Sequence, residues 1–297
     1  MKIKKSSTIV STLIVGLSIF SPFANAESLT DQVKKSSDIK VIKSYLENNV
    51  ANLTNEFLTL KDTSKLDDVE KIIDTYYEEH PAPKQMDDPS ISLEDVFPKL
   101  MAENEKAFKE NKSVLNNFIE DQKENSDLGQ VFTYQDGDKS KVDVYLGNTG
   151  EISIVEVRTV KEAPKQDTKI EPLYTQKETR VERTTGISYN ALGYQMFTLW
   201  AEGGFKYNGT NVVSQNIDAD WKRHFSGSTL NLMPEVMPKT RAVSIEGHKY
   251  VEVYARMRYE AGFGIRWATA VLNSGTVESY VGCSVDGSIY GGIKRVS

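Results

Sequence analysis

Disulfide bonding is excluded by count. Cys283 is the only cysteine, so no intramolecular bridge can form and the fold must be held by its own core. Histidine is nearly as scarce. His80, His224 and His248 are the only three, and none falls in a His-Glu-x-x-His or similar spacing, so neither a metal nor another cofactor is expected. Past residue 26 there is no apolar run approaching the roughly 20 residues a membrane helix needs. A Gly-x-Ser-x-Gly nucleophile motif is missing as well. A basic excess is also lacking. The net charge is −6, and residues 27–128 carry 13 Lys/Arg against 23 Asp/Glu, so nucleic acid is not an expected partner.

What is present begins with the three parts of an export signal. Lys2, Lys4 and Lys5 give a positive start, Thr8 to Phe20 a short apolar run, and Ala24-Asn25-Ala26 the small residues a signal peptidase accepts. Residues 1–26 are therefore expected to be a cleaved signal peptide. The mature chain from Glu27 is expected to be secreted, free in solution or held at a surface only by binding.

The remainder divides by period. Residues 27–128 read as an acidic helical region. Ile39, Ile42, Tyr45, Leu46, Val50, Leu53, Phe57 and Leu60 form a stripe at steps of three and four. A second helix fits 66–77, with Thr63 or Ser64 as its cap, and His80-Pro81-Ala82-Pro83 ends it. Ser92 is expected to cap a third helix reaching about Asp121, with Pro98 as a kink or as its true start. From 129 to 161 the alternation is that of strands, broken at Asp136-Gly137-Asp138 and at Gly147-Asn148-Thr149-Gly150, which predicts a three-strand meander. Residues 162–185 are so polar that they read as a linker. Residues 186–297 read as a β-rich domain. Asn208-Gly209 marks one hairpin there, and 251–260 with 263–271 another. The expected fold class is α+β: amphipathic helices followed by a mainly antiparallel β-sandwich or jelly-roll-like domain. Cleavage at Lys177, Arg180 or Arg183 would make the acidic half a removable pro-region.

Chemistry-bearing residues are few, and no catalytic set is assigned. Asp218 and Asp220, beside Trp221, would point the same way in a strand roughly 6–7 Å apart, a spacing some glycosidases use, although surface aspartates are the commoner case. Cys283 with His224 or His248 and Asp286 would make a thiol nucleophile. Against that, Cys283 shares a strand face with Val277 and Val281, which predicts a buried small hydrophobe. Glu78-Glu79-His80 favours a cation, although a helix C-terminus is an ordinary place for histidine. The aromatics are densest between 194 and 225. Tyr194, Trp200, Phe205, Tyr207 and Trp221 are the candidate binding residues, weighed against plain core packing of strands. Arg256, Arg258 and Arg266 on one face of the 251–272 hairpin keep contact with a membrane open as a further reading.

The block Gly193-Tyr194-Gln195-Met196-Phe197-Thr198-Leu199-Trp200-Ala201-Glu202-Gly203-Gly204-Phe205-Lys206-Tyr207-Asn208-Gly209 resembles β-domains of exported proteins of Gram-positive bacteria, some of them bacteriocin-like. It covers a small part of the chain and carries no catalytic residue to transfer. The resemblance implies an exported non-enzymatic protein that binds a component of a cell envelope, as a bacteriocin-like antagonist does. A secreted hydrolase of polysaccharide or peptide is the alternative.

Overall fold

The computed structural model describes residues 29–110, 114–164, 176–224, 230–245, 247–261 and 274–296. The export signal, Phe225, and the 263–271 half of the expected second hairpin lie outside the described residues.

The helical stripe does what its period requires. In α1 (Leu29–Thr59), Ile42, Leu46, Leu53 and Phe57 are buried along one side. Helix α2 (Leu66–Glu79) buries Val69, Ile73 and Tyr76. Its cap differs from expectation. Lys65 occupies the N-cap position, and the Asp68 carboxylate reaches back to accept from the Lys65 N–H at 2.9 Å. A carboxylate in the first turn thus takes the place of a capping hydroxyl. The single third helix breaks into α3 (Leu93–Val96), α4 (Pro98–Glu110) and α5 (Leu115–Asn125). Ser92 caps α3, and Pro98 opens α4, where its missing N–H costs nothing. Among the described residues, no helix is long and apolar enough to cross a membrane.

All strand pairing is antiparallel, and each sheet is built from consecutive strands. The larger contains β1 (Gly129–Asp136), β2 (Ser140–Gly147), β3 (Ile152–Lys161), the short β4 (Lys177–Glu178), β5 (Val181–Tyr189), β6 (Gln195–Tyr207) and β7 (Val212–Arg223). Strand β4 continues the line of β5 along β6. The smaller sheet runs β8 (Leu230–Ile245), β9 (His248–Ala261), β10 (Ser274–Ser284), β11 (Ile289–Arg295). The meander and the Asn208-Gly209 hairpin form as expected, with Gly137, Gly150 and Gly209 at positive φ in the turns. Strand β9 pairs with β8 and β10, so its described partners differ from the hairpin read in the sequence.

The expected linker is the larger departure. From 181 onward it is β5, held between β3 and β6, with Val181, Glu182 and Thr184 buried. The polar side chains that disguise this strand find partners in the fold. Arg180 bonds to Glu182, and Arg183 to Glu202 at 2.6 Å. The proposed boundary at 185/186 therefore cuts through a sheet, and Arg183, one of the three cleavage sites, sits in its ladder.

Layers follow from the alternation. The larger sheet packs on the smaller through Tyr145, Val155, Phe197 and Leu199 against Ala255, Met257, Tyr259 and Val277, with Phe118 and Ile119 of α5 closing one end. Its other face carries Val142, Val144, Ile152, Ile154 and Ile187, covered by Leu53 and Phe57 of α1 and Val69 and Ile73 of α2. Strand β2 is buried on both faces, so Asp143 between Val142 and Val144 is buried too, where it pairs with Lys123 and Lys141. The acidic helices are thus an outer layer of the same molecule.

Candidate functional site

Four of the five aromatics singled out in the sequence serve packing. Phe205 is fully buried with Val253, Val281 and Cys283. Trp221 packs against the core between the sheets. Tyr207 lies against the turn at Gly287, where a Cβ would overlap its ring. Trp200 is half-buried with the Arg183 guanidinium 3.9 Å from its ring centre, so one face is already occupied. For these four the geometry favours the packing reading, and its cause is ordinary: strands bury every second side chain, and aromatics fill that space well.

Tyr194 behaves differently. It is 56 % exposed although it follows a buried loop. The loop between β5 and β6 is fixed by Asn190, whose side-chain oxygen accepts from the N–H groups of Leu192 and Tyr194, both at 3.0 Å. Its neighbour Ala191 is completely buried among residues from α1, α3 and α4. Gly193 takes φ +73° with the Tyr77 ring directly against it, so a side chain there would displace Tyr77. Tyr194 is therefore presented by a loop with little freedom.

Beside it lies a cavity of about 280 Å³ where four segments meet: Tyr45 from α1, Asp74, Tyr77 and Glu78 from α2, His80 and Pro81 from the following turn, and Leu192, Gly193 and Tyr194 from the loop. The Tyr45 hydroxyl donates to the His80 carbonyl at 2.9 Å, which ties the turn to α1. The His80 ring stacks on Tyr76 with centres 4.3 Å apart, and its Nδ1 donates to the Tyr76 carbonyl at 2.9 Å. Burial pushes the Tyr45 and Tyr77 phenols up, so both stay neutral. Among the described residues the buried Tyr77 hydroxyl has no hydrogen-bond partner.

Behind Tyr77 lies Glu151, whose charge reaches the Tyr77 phenol. Its carboxyl is enclosed in the β2–β3 turn, with the Thr149 hydroxyl donating to one oxygen and the other oxygen unpartnered. Burial raises the group to about 7, with the Thr149 hydrogen bond opposing. Because the folded value lies above the unfolded one, the stability tied to its proton is complete below about pH 4 and is lost as pH rises through 7. Glu151→Gln is expected to be more stable than the parent by on the order of 3 kcal/mol at pH 8, and nearly equal to it at pH 4. Urea unfolding at the two pH values measures this, and an equal gap at both would refute it.

The other candidates are not gathered here. Asp218 and Asp220 are exposed on β7, opposite Glu202 and Trp200, outside this cavity. Cys283 faces the core as its strand neighbours implied, and burial raises its thiol to about 12, which keeps it protonated. His248 opens β9 opposite Ile245, and His224 Nε2 lies 3.0 Å from the Thr198 hydroxyl. Asp286 bonds to Ser284 and Ser288. Among the described residues, no group of three His, Cys, Asp or Glu is placed to hold a metal. Tyr45, Asp74 and Tyr77 carried no functional signal in the sequence, because helical spacing makes Tyr45 and Tyr77 look like core and Asp74 like a solvated face. Tyr194 and Glu78-Glu79-His80 were the sequence signals that fall in this corner. Set against protein-family models, curated proteins and solved structures, the chain has no match in any of the three.

Proposed function

We propose that this is an exported, non-enzymatic protein that binds a component of a cell envelope, in the manner of a bacteriocin-like antagonist, and that the tyrosine-lined cavity beside Tyr194 is its contact site. The observation that carries this reading is a rigid loop holding a large, exposed aromatic at the mouth of a cavity. An aromatic ring held in water on a fixed loop adds little to packing and is available for recognition. The export signal read in residues 1–26 supports an extracellular site of action. We further read the two stacked sheets as a sandwich in preference to a jelly roll, because a jelly roll interleaves its strands and here each sheet is consecutive.

The test is sedimentation of purified 27–297 with intact Gram-positive cells and with their envelope fraction, followed by growth and dye-leakage measurements. The parent chain is expected to pellet with the envelope, and Tyr194→Ala to lose most of that binding with an unchanged thermal midpoint. A parent chain that stays in the supernatant would overturn the function. Binding insensitive to Tyr194→Ala would move the contact elsewhere. Leakage or growth arrest would mark antagonism, and binding alone adhesion.

A further inference from the structure

The walls of the tyrosine cavity differ in a way that selects a ligand class. Asp74 and Glu78 lie four residues apart on α2 and so share one face of the helix. That face is mainly acidic, with Asp67 and Glu70 preceding them at helical spacing and Lys71 the one cation of the helix, and the Asp74 charge is felt at Glu70 and at Tyr189. Neither Asp74 nor Glu78 is in an ion pair among the described residues, and no Lys or Arg lines the cavity. The remaining walls are chiefly Tyr45, Tyr77, Tyr194, Pro81 and Leu192, together with His80, whose Nδ1 is taken by the Tyr76 carbonyl.

Hydrogen-bond donors are few there, since the Asp74 and Glu78 carboxylates only accept. The Tyr45 hydroxyl is committed to the His80 carbonyl, and the Tyr77 hydroxyl is buried away from solvent. A neutral sugar needs many such partners, and an anion would meet two carboxylates. A cation with an apolar surface needs neither: it gains from the carboxylates and from the π-electrons of the tyrosines, and its alkyl groups cover the apolar wall. From this geometry we infer that the cavity binds an alkylammonium group, with Asp74 and Glu78 supplying the charge and Tyr45, Tyr77 and Tyr194 the surround. The inference rests on the proposed contact site and names the chemistry it recognises. A quaternary headgroup and a lysyl side chain both present such a group.

The experiment is calorimetric titration of 27–297 at matched ionic strength with three probes: choline, Nα-acetyl-lysine methylamide, and neohexyl alcohol, the uncharged carbon counterpart of choline. One or both cations are expected to bind and the alcohol to bind at least tenfold more weakly. Choline alone points to a quaternary headgroup, and the lysine derivative to a peptide amine. The Asp74→Asn/Glu78→Gln double variant is expected to weaken cation binding by about tenfold. Tyr194→Leu should weaken it about threefold, with Tyr194→Phe unchanged, because the ring and not its hydroxyl is used. Thermal midpoints of the variants establish that they are folded. No binding of either cation, or equal binding of the alcohol, would overturn the inference. A chain that pellets with envelopes yet ignores both cations would sink this inference and leave the proposed function standing. Failure to pellet with envelopes sinks the latter.

Discussion

A chain beginning at Gly186 is expected to show no cooperative unfolding transition, whereas 27–297 unfolds in one sigmoidal step. Strand β5 runs from Val181 to Tyr189 and pairs with β3 along 152–161, so a start at 186 removes its first five residues and the whole of its neighbour. Loss of β1–β3 also strips the partners of Phe197 and Leu199 in the core, and loss of the helices uncovers Ile187 and Tyr189. Burying one large apolar side chain is worth about 1.5–3 kcal/mol, and folded domains hold only about 5–15 kcal/mol in total, so exposure of several is more than the remainder can bear. Urea titration followed by far-ultraviolet circular dichroism distinguishes the two chains. A sigmoidal transition in 186–297 would show that the two sheets are separable. The same reasoning disfavours a dispensable pro-region, because the acidic half contains the helices that cover the larger sheet.

The second large effect is expected at Glu278. Its side chain is fully buried on the face of β10 that points away from the core between the sheets, since Val277, Ser279 and Val281 point inward. Cations from all three other strands of the smaller sheet converge on it. Arg241 of β8 is at 2.6 Å, Arg256 of β9 at 2.9 Å and Lys294 of β11 at 3.1 Å. Arg241 also bridges to Glu252, which accepts from the Tyr290 hydroxyl at 2.8 Å. The flat guanidinium of Arg241 lies 4.3 Å from the Tyr254 ring centre and Lys294 4.9 Å from that of Tyr280. A network of long side chains covers this face.

Glu278→Gln leaves three cations around an uncharged amide. Breaking a buried pair by removing one partner costs about 3–5 kcal/mol, and partial exposure of the cations places this site near the lower end, about 3 kcal/mol at neutral pH. The pH dependence carries its own sign. Burial alone would raise the carboxyl, but the hydrogen bonds from Arg241 and Arg256 and the charge of Lys294 outweigh it and hold the group below the ordinary carboxylate range. A depressed folded value means that the contribution is complete above about pH 4 and disappears as acid protonates the folded state. The gap between parent and Glu278→Gln is therefore expected to be largest at pH 7 and to shrink toward pH 2, the reverse of the trend at Glu151. Urea midpoints at both pH values measure it, and a gap independent of pH would refute the assignment of charge.

Together Glu151 and Glu278 show how burial is resolved in two ways. Glu278 meets three cations and stays ionised. Glu151 meets the Thr149 hydroxyl and the backbone N–H groups of Thr149 and Glu151 but, among the described residues, no cation, so burial holds a proton on it to about neutral pH. Neither environment is visible in the local sequence, where both are single acids among β-formers.

The periodic elements were determined by the sequence itself. The stripe of α1, the stop at Pro81 and Pro83, the Ser92 cap, the start at Pro98, the meander and the Asn208-Gly209 hairpin all depend on residues within a few positions of one another. The inward direction of Cys283 followed from strand alternation for the same reason. What only the tertiary structure decided depends on partners far away in the chain. Strand β5 reads as a linker because Glu182 and Arg183 suggest solvent, and it becomes a buried strand because Arg180 and Glu202 take up their charges. The tyrosine cavity draws on residues 45, 74–82 and 192–194, and although the sequence singles out Tyr194 and Glu78-Glu79-His80, no segment by itself shows that they meet or that Tyr45, Asp74 and Tyr77 join them. Local periodicity reports which face of an element is buried. It carries no information about which other element meets that face, and both the sheet membership of β5 and the candidate site are facts of that second kind.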